Sequence, residues 1–194
     1  MLPPIVPGEP PRVLAEGELE RLLAILAAHV RLQDCDEITI EANPESVTPA
    51  KARAARTAGV TRVSLGAQSF DAERLRFLDR AHDADRTRAA FATVREAGFD
   101  NVSLDLMFGI PGESPASWED DLRQALLLKP DHLSCYNLTF EPGTRLERDR
   151  RQGRVEPNDD TIDREMFLTT RRVLADHGYA AYEISNFAGR GGPC

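Results

Sequence analysis

Residues 101–112 read Asn101-Val-Ser-Leu-Asp-Leu-Met-Phe-Gly-Ile-Pro-Gly112 and lie between two helical patterns. The run 101–107 has apolar residues at 102, 104, 106 and 107 and predicts a strand. The preceding helical pattern ends at Gly98, because glycine readily adopts the left-handed conformation that closes a helix. Ser114 followed by Pro115 is typical of the start of the next helix. The local order is therefore helix, strand, helix.

This junction of helix and strand recurs along the chain. The segments Ala58-Gly-Val60, Ala97-Gly-Phe99 and His177-Gly-Tyr179 each precede a predicted strand. Successive units of this kind predict parallel strands joined by right-handed crossovers. A closed eightfold barrel takes about 250 residues, whereas this chain has 194. The sequence therefore predicts a single α/β domain over residues 1–194, with either an open sheet or a partial barrel.

The same reasoning predicts the other elements. Helices are expected at 16–31, 49–59, from about 71, 83–98, from 114 to about 129, and 159–178. Strands are expected at 37–41, 62–66, 101–107, 132–138 and 182–185. Residues 143–158 are rich in Arg, Gly and Pro and predict a solvated loop.

Composition narrows the function classes. The formal net charge of −8 argues against a nucleic acid as the main partner. We expect no transmembrane segment, because no apolar run approaches the about 20 residues that a membrane span needs. Three unpaired cysteines and the lack of a signal-peptide pattern predict a cytoplasmic location. The four histidines lack metal-ligand spacing, so we expect surface or internally paired histidines and no metal site.

Polar residues follow the apolar core of each predicted strand. They can act as helix caps and loop residues, or together form a polar rim, because functional side chains of β/α folds collect at the carboxyl ends of strands. Such a rim suits a polyol or an amino-acid-like ligand. The loop Gly109–Glu113 either approaches a ligand or only turns the chain. The rim residues are Glu41, Asn43, Gln68, Ser69, Asp105, Asn137, Glu183 and Asn186.

Several longer motifs occur in one order. They are Glu41-Ala-Asn-Pro44, Val63-Ser-Leu-Gly-Ala-Gln-Ser-Phe70, Leu78-Asp-Arg-Ala-His82, residues 97–112, Phe140-Glu-Pro-Gly-Thr144 and Tyr182-Glu-Ile-Ser-Asn-Phe-Ala188. In these motifs the chain resembles the HemW branch of the oxygen-independent coproporphyrinogen III oxidase-like radical SAM proteins, from about residue 5 to its end. The resemblance implies a partial parallel (β/α) barrel and a role in haem delivery or porphyrin metabolism.

The resemblance also implies a cofactor site. S-adenosylmethionine is expected across the strand ends, at positions matched here by Glu41, Gln68, Arg80 and Asp105. Carboxylates would take ribose hydroxyls or the methionyl ammonium, and Arg80 would take the methionyl carboxylate. A surface ion pair of Arg80 with Asp79 or Asp83 is the alternative interpretation. Haem is a further candidate ligand, with no axial ligand singled out.

Two departures from the family pattern shape the expected activity. The glycine-rich loop that approaches the methionyl group corresponds to Pro7-Gly-Glu-Pro-Pro11, where only Gly8 and the last proline match, so we expect at most weak binding. The Cys-x-x-x-Cys-x-x-Cys motif that ligates a 4Fe-4S cluster has no counterpart in these 194 residues. The sequence therefore predicts no catalytic residue and no radical chemistry in this chain.

These observations leave three hypotheses about the function of the chain. The first is a truncated HemW-like core that lacks the family's first strand unit and C-terminal domain. The second is a non-catalytic module that binds S-adenosylmethionine, a tetrapyrrole or a partner protein, and the third is a gene fragment without function. Without the first strand unit, a sheet edge should be exposed, which predicts self-association.

Overall fold

The computed structural model describes residues 17–189, so Gly8 and Cys194 lie outside the described residues. The helices are α1 Glu18–Ala27, α2 Pro49–Thr57, α3 Ala72–Phe77, α4 Ala84–Glu96, α5 Pro115–Leu127, α6 Arg145–Arg151 and α7 Asp160–Asp176. The strands are β1 Thr39–Ala42, β2 Arg62–Gln68, β3 Asn101–Phe108, β4 His132–Asn137, β5 Ala180–Ala181 and β6 Asn186–Ala188. Short 3-10 turns occupy Leu32–Asp34 and Pro44–Ser46.

Within residues 17–189, six strands form one sheet in the order β1-β2-β3-β4-β6-β5. Strands β1 to β4 are parallel, as the repeated helix–strand units predict. The last two strands are antiparallel, β6 to β4 and β5 to β6, which the sequence did not indicate. Strand β1 forms one edge of the sheet among the described residues. The α/β class with a mainly parallel sheet is confirmed, whereas self-association at this edge stays a prediction.

The predicted strand at 182–185 is wrong. Residues 182–185 connect β5 to β6, and the strand that pairs with β4 begins four residues later, at Asn186. The carboxylate of Glu183 accepts hydrogen bonds from the backbone N–H of Ser185 and from Nδ2 of Asn186. These local bonds favour a turn over an extended strand.

The predicted loop at 143–158 is wrong in part, because α6 lies within it. Thr144 caps this helix by accepting a hydrogen bond from the N–H of Glu147. Glu147 then pairs with Arg150 and Arg151 on the following turn, with N–O distances of 2.7 and 2.6 Å. The arginine-rich composition is therefore compatible with a short helix, because the charges pair at helical spacing.

Helix ends agree with the local sequence signals. Thr48, Asp83 and Ser114 cap α2, α4 and α5 through their side-chain oxygens. Gly59 and Gly98 follow α2 and α4 with φ values of 98° and 90°, so a left-handed residue is required at both positions. These caps fix where each strand begins and therefore how the strands align.

The two faces of the sheet differ in polarity. One face is apolar and packs against the helices, where Trp118 of α5 and Met166 of α7 are fully buried. Its strand residues are Val63, Leu65, Val102, Leu104, Leu106 and Leu133. The register gives the opposite face the alternating polar residues Glu41, Arg62, Ser64, Ser103, Asp105, His132 and Ser134.

A buried polar cluster lies at the amino ends of β2 and β4. Nδ1 of His132 is 2.9 Å from Oγ of Ser103 and 3.5 Å from Nη2 of Arg62. Its Nε2 is 2.9 Å from the hydroxyl of Tyr182. Burial and the nearby Arg62 charge lower the pKa of His132 to about 4, so the ring is neutral near pH 7. His132 is thus an internally paired histidine, as expected.

The described residues contain no helix long and apolar enough to cross a membrane.

Candidate functional site

Two acidic residues, Glu41 and Asp105, lie on the polar face of the sheet, towards the carboxyl ends of β1 and β3. Glu41 of β1 is paired in register with Ser64 of β2, and the hydroxyl of Ser64 lies 3.0 Å from each carboxylate oxygen of Asp105. Asp105 is in turn opposite Ser134 of β4. The parallel register therefore brings together four polar residues from four strands.

The environment of Asp105 sets its charge state. Burial raises the pKa of Asp105 above its ordinary value of 3.8, and the neighbouring negative charge of Glu41 raises it further. Hydrogen bonds from Ser134 and Ser64 act in the opposite direction, because they stabilise the carboxylate. A ligand that brings an ammonium or hydroxyl groups to this position would replace the lost hydration of Asp105.

Gln68 ends β2 in an unusual conformation. It is buried, its φ is 63°, and the pairing of β2 with β3 shifts register between Leu65 and Gln68. A Cβ on Gly66 would lie 2.9 Å from Nε2 of Gln68 and 3.5 Å from Oδ1 of Asn43. Glycine at position 66 therefore leaves the space that the Gln68 amide occupies.

Arg80 reaches the same strand ends from the segment between α3 and α4. Its Nη1 donates to Oδ1 of Asn43 over 3.4 Å. Its Nε is buried and has no hydrogen-bond partner among the described residues. Among the described residues Arg80 forms no ion pair with Asp79 or Asp83, and the Asp83 carboxylate instead accepts from the N–H of Arg86, so that alternative is wrong. A buried donor without a partner fits a ligand that carries an acceptor.

His82 fixes the segment that carries Arg80. It is buried, with Nε2 placed 3.2 Å from the carbonyl oxygen of Ala67 and Nδ1 placed 3.1 Å from Oε2 of Glu45. These contacts tie the segment to the end of β2 and to the turn after β1. The histidine thus positions Arg80 beside Asn43 without itself lying in the polar rim.

The loop after β3 is held by Asn158, which the sequence did not single out, and packs against Asn137 and Asp163. Nδ2 of Asn158 donates to the carbonyl oxygen of Ile110 over 3.1 Å, and its Oδ1 accepts from the N–H of Gly112 over 3.0 Å. A Cβ on Gly109 would lie 3.1 Å from both Asn137 and Asp163. The loop is therefore packed closely on the start of α7.

Four of the five predicted site residues lie at the carboxyl ends of the parallel strands or reach them. Glu41 and Asp105 form one group around Ser64, and Gln68 and Arg80 form a second group around Asn43. Gly8 lies outside the described residues. Ser64 and Ser134 were missed by sequence reasoning. The alternation of polar and apolar residues within β2 and β4 was the signal that could have found them.

The described cysteines do not fit an iron–sulfur cluster. Cys35 is exposed, and Cys135 is buried on the apolar side of β4, where burial strongly raises the pKa of its thiol. No group of three or more His, Cys, Asp or Glu residues within 17–189 has the geometry to hold a metal ion. The described residues therefore supply no set of ligands for a cluster.

The fold and the strand-end site define a class of protein. The model of the radical SAM superfamily matches residues 7–125, and the chain belongs to this superfamily. Among curated proteins, the heme chaperone HemW of Mycobacterium tuberculosis (strain ATCC 25618 / H37Rv) is 40% identical over 190 residues, covering 97% of this chain and 48% of that protein. The heme chaperone HemW of Bacillus subtilis (strain 168) is 35% identical over 185 residues, covering 95% and 49%.

A solved structure gives the same class. The structure of coproporphyrinogen III oxidase (HemN) from Escherichia coli, a radical SAM enzyme, superposes with a TM-score of 0.78 at 25% identity. The superposition covers 91% of this chain and 40% of that one. The resemblance to HemW-like radical SAM proteins is therefore confirmed. The chain spans about half the length of the curated relatives it matches.

Proposed function

We propose that this chain supplies a binding wall for S-adenosylmethionine in a HemW-like protein of haem metabolism. The observation that carries the proposal is the grouping of Asn43, Gln68 and Arg80 at the strand ends, with the buried Nε of Arg80 left without a partner. The membership of the chain in the radical SAM superfamily supports the identity of the ligand.

Each side chain has a role that follows from its charge. Arg80 would donate to the methionyl carboxylate in a charge-assisted hydrogen bond. Glu41 and Asp105 would accept from the methionyl ammonium or from ribose hydroxyls, and Gln68 would offer its amide. When bound, S-adenosylmethionine supplies a sulfonium whose positive charge is favoured by the two carboxylates. The proposal is confined to binding, because the described residues supply no cluster ligands.

The haem-related role is the less direct part of the proposal. It rests on the likeness to proteins named heme chaperones and on HemN, each of which is about twice as long as this chain. Absorbance titration of the chain with haem tests it, with a saturable Soret shift as the expected outcome. A cytoplasmic location and self-association through the β1 edge also remain predictions.

Calorimetry with the 194-residue chain tests the binding proposal. We expect weak, saturable binding of S-adenosylmethionine that Arg80→Met lowers by about tenfold or more, since hydrogen bonds to charged groups contribute about 1.5–3 kcal/mol. Arg76→Met is the matched control, because Arg76 is exposed and, within residues 17–189, forms an ion pair only with the exposed Glu73. Absence of binding by the unmodified chain contradicts the proposal, and equal losses in the two variants contradict the role of Arg80.

A further inference from the structure

A buried ionic network lies beside the proposed site and contains none of its residues. Nη1 of Arg74 in α3 is 2.7 Å from Oδ2 of Asp121 in α5 and 2.9 Å from Oε1 of Glu113. The side chain of Arg74 is 15% exposed, and those of Asp121 and Glu113 are 2% and 0% exposed. Buried charges of this kind persist only when they are paired and hydrogen-bonded.

Asp121 connects this network to the turn after Gln68. Its Oδ2 accepts a hydrogen bond from Oγ of Ser69 over 2.6 Å, and its Oδ1 accepts from the N–H of Phe70 over 2.9 Å. Ser69 is fully buried. One carboxylate on α5 therefore binds the two residues that directly follow the strand-end glutamine.

Glu113 connects the same network to the loop after β3. Its Oε2 accepts from the N–H of Ile110 over 3.2 Å, while its Oε1 faces Arg74. Burial, with Asp121 nearby, raises the pKa of Glu113, and Arg74 opposes this rise. Arg74 is thus the cation that allows two carboxylates to be buried side by side. Asp121 binds the turn after β2, and Glu113 binds the loop after β3.

The backbone conformation of Gln68 must be held by its surroundings, and this network is placed to hold it. A φ of 63° is uncommon for a residue with a side chain and persists when the surrounding structure holds it. The bonds from Asp121 to Ser69 and Phe70 are placed to hold the turn immediately after it. Without them, the chain at Gln68 could relax and move the amide away from Asn43 and Gly66.

We propose that Arg74, Asp121 and Glu113 form a positioning clasp that holds the Gln68 turn and the loop after β3 in the geometry that binds S-adenosylmethionine. The three residues act through Gln68 and Ile110 and do not touch the ligand. The proposal rests on the proposed function for its ligand. Its structural part is that Arg74 couples the turn after β2 to the loop after β3. This coupling can be measured without the ligand.

Asp121→Asn is the main variant, and Asp131→Asn is its matched control. Asp131 likewise pairs with an arginine, Arg95, over 2.8 Å and accepts from a backbone N–H, that of Val102, over 2.9 Å. It lies at the opposite end of the sheet, where β3 and β4 begin. Both substitutions therefore remove one paired carboxylate, but only the first belongs to the clasp.

Two readouts are taken on each variant. We expect Asp121→Asn to lower the affinity for S-adenosylmethionine at least fivefold and to accelerate hydrogen exchange at the amides of both Phe70 and Ile110. We expect Asp131→Asn to accelerate exchange at Val102 and leave the affinity within twofold. Equal losses of affinity in the two variants, or unchanged exchange at Ile110 in Asp121→Asn, overturn the clasp.

Milder substitutions cover the case in which Asp121→Asn does not fold. Ser69→Ala removes one bond to Asp121 and should lower the affinity about twofold to fivefold, whereas Arg74→Lys should retain more affinity than Arg74→Met. If Arg74→Lys binds S-adenosylmethionine no more tightly than Arg74→Met, the clasp is contradicted. If the unmodified chain does not bind S-adenosylmethionine, the proposed function fails, and the coupled exchange at Phe70 and Ile110 still decides the clasp.

Discussion

The hydroxyl of Ser64 on β2 lies 3.0 Å from both carboxylate oxygens of Asp105 on β3. The contact links adjacent parallel strands on the polar face of the sheet. It stabilises the ionised form of a carboxylate whose pKa is otherwise raised by burial. The ionised form of Asp105, in the proposed S-adenosylmethionine site, is therefore stabilised by a serine hydroxyl that carries no charge itself.

Ser64→Ala should raise the pKa of Asp105 further, because it removes a hydrogen bond to the carboxylate. It should also lower the free energy of unfolding by about 1 kcal/mol. A carbon-13 NMR titration of the Asp105 carboxyl measures the first effect. Ser103→Ala is the control, since Ser103 lies on the same face but contacts His132. A lower or unchanged pKa in Ser64→Ala would contradict the assigned contact.

Glu113→Gln should change how stability depends on pH. Burial raises the pKa of Glu113 to about 7, above its ordinary value of 4.5, so the folded state binds the proton more tightly. The unmodified chain should therefore lose stability relative to the variant as pH rises from about 4.5 to about 7, by on the order of 2 kcal/mol. Urea unfolding at several pH values measures this difference.

Glu119→Gln serves as a control of opposite sign. Hydrogen bonds from Arg123 and Arg172 lower the pKa of Glu119, so its ionised form is favoured in the folded state. Glu119 is partly exposed and both arginines are exposed, so solvent screening makes the effect small. A constant difference between the unmodified chain and Glu113→Gln across this pH range would contradict the raised pKa of Glu113 in the folded state.

His132→Gln tests the polar cluster at the amino ends of the strands. Burial lowers the pKa of His132 from 6.5 to about 4, so its folded environment favours the neutral ring. The stability it contributes is present above pH 6.5 and is lost as pH falls toward 4, by on the order of 2 kcal/mol. The unmodified chain should therefore lose stability relative to the variant over this range. A difference between the unmodified chain and His132→Gln that does not change with pH would contradict the lowered pKa of His132.

Gly66→Ala should weaken the binding of S-adenosylmethionine while changing the free energy of unfolding only slightly. The added Cβ would meet the end of the flexible Gln68 side chain at 2.9 Å, which can move at little cost. We expect a stability loss under about 1 kcal/mol together with weaker binding of S-adenosylmethionine. In Gly189→Ala, by contrast, the Cβ would lie 2.9 Å from the backbone oxygen of Asp131, so stability should fall by about 1–3 kcal/mol. Thermal unfolding and calorimetry on both variants distinguish the two effects.

The parts of the fold with local causes were predictable from sequence. Thr48, Asp83 and Ser114 cap helices because their side chains bond to N–H groups within three residues. Gly59 and Gly98 end helices for a reason confined to their own backbone. The motifs that carry the family resemblance likewise predicted Glu41, Gln68, Arg80 and Asp105 as residues of one cofactor site.

The remaining features depend on partners far apart in the chain. Arg74 and Asp121 are 47 residues apart, and Ser69 and Asp121 are 52 apart, so no local pattern signals their contact. The antiparallel pairing of His132 with Ala188 is equally remote, which is why the sequence placed the strand at 182–185 and not at Asn186–Ala188. Packing between elements, and not local propensity, determines these contacts.

An NMR titration of the isotope-labelled 194-residue chain with S-adenosylmethionine tests the central claim most directly. The account predicts saturable shifts of the amide signals of Gln68, Arg80 and Asp105, with Val102 and Asp131 at the other end of the sheet unchanged. Shifts confined to residues away from the strand ends, or none up to millimolar ligand, would contradict it.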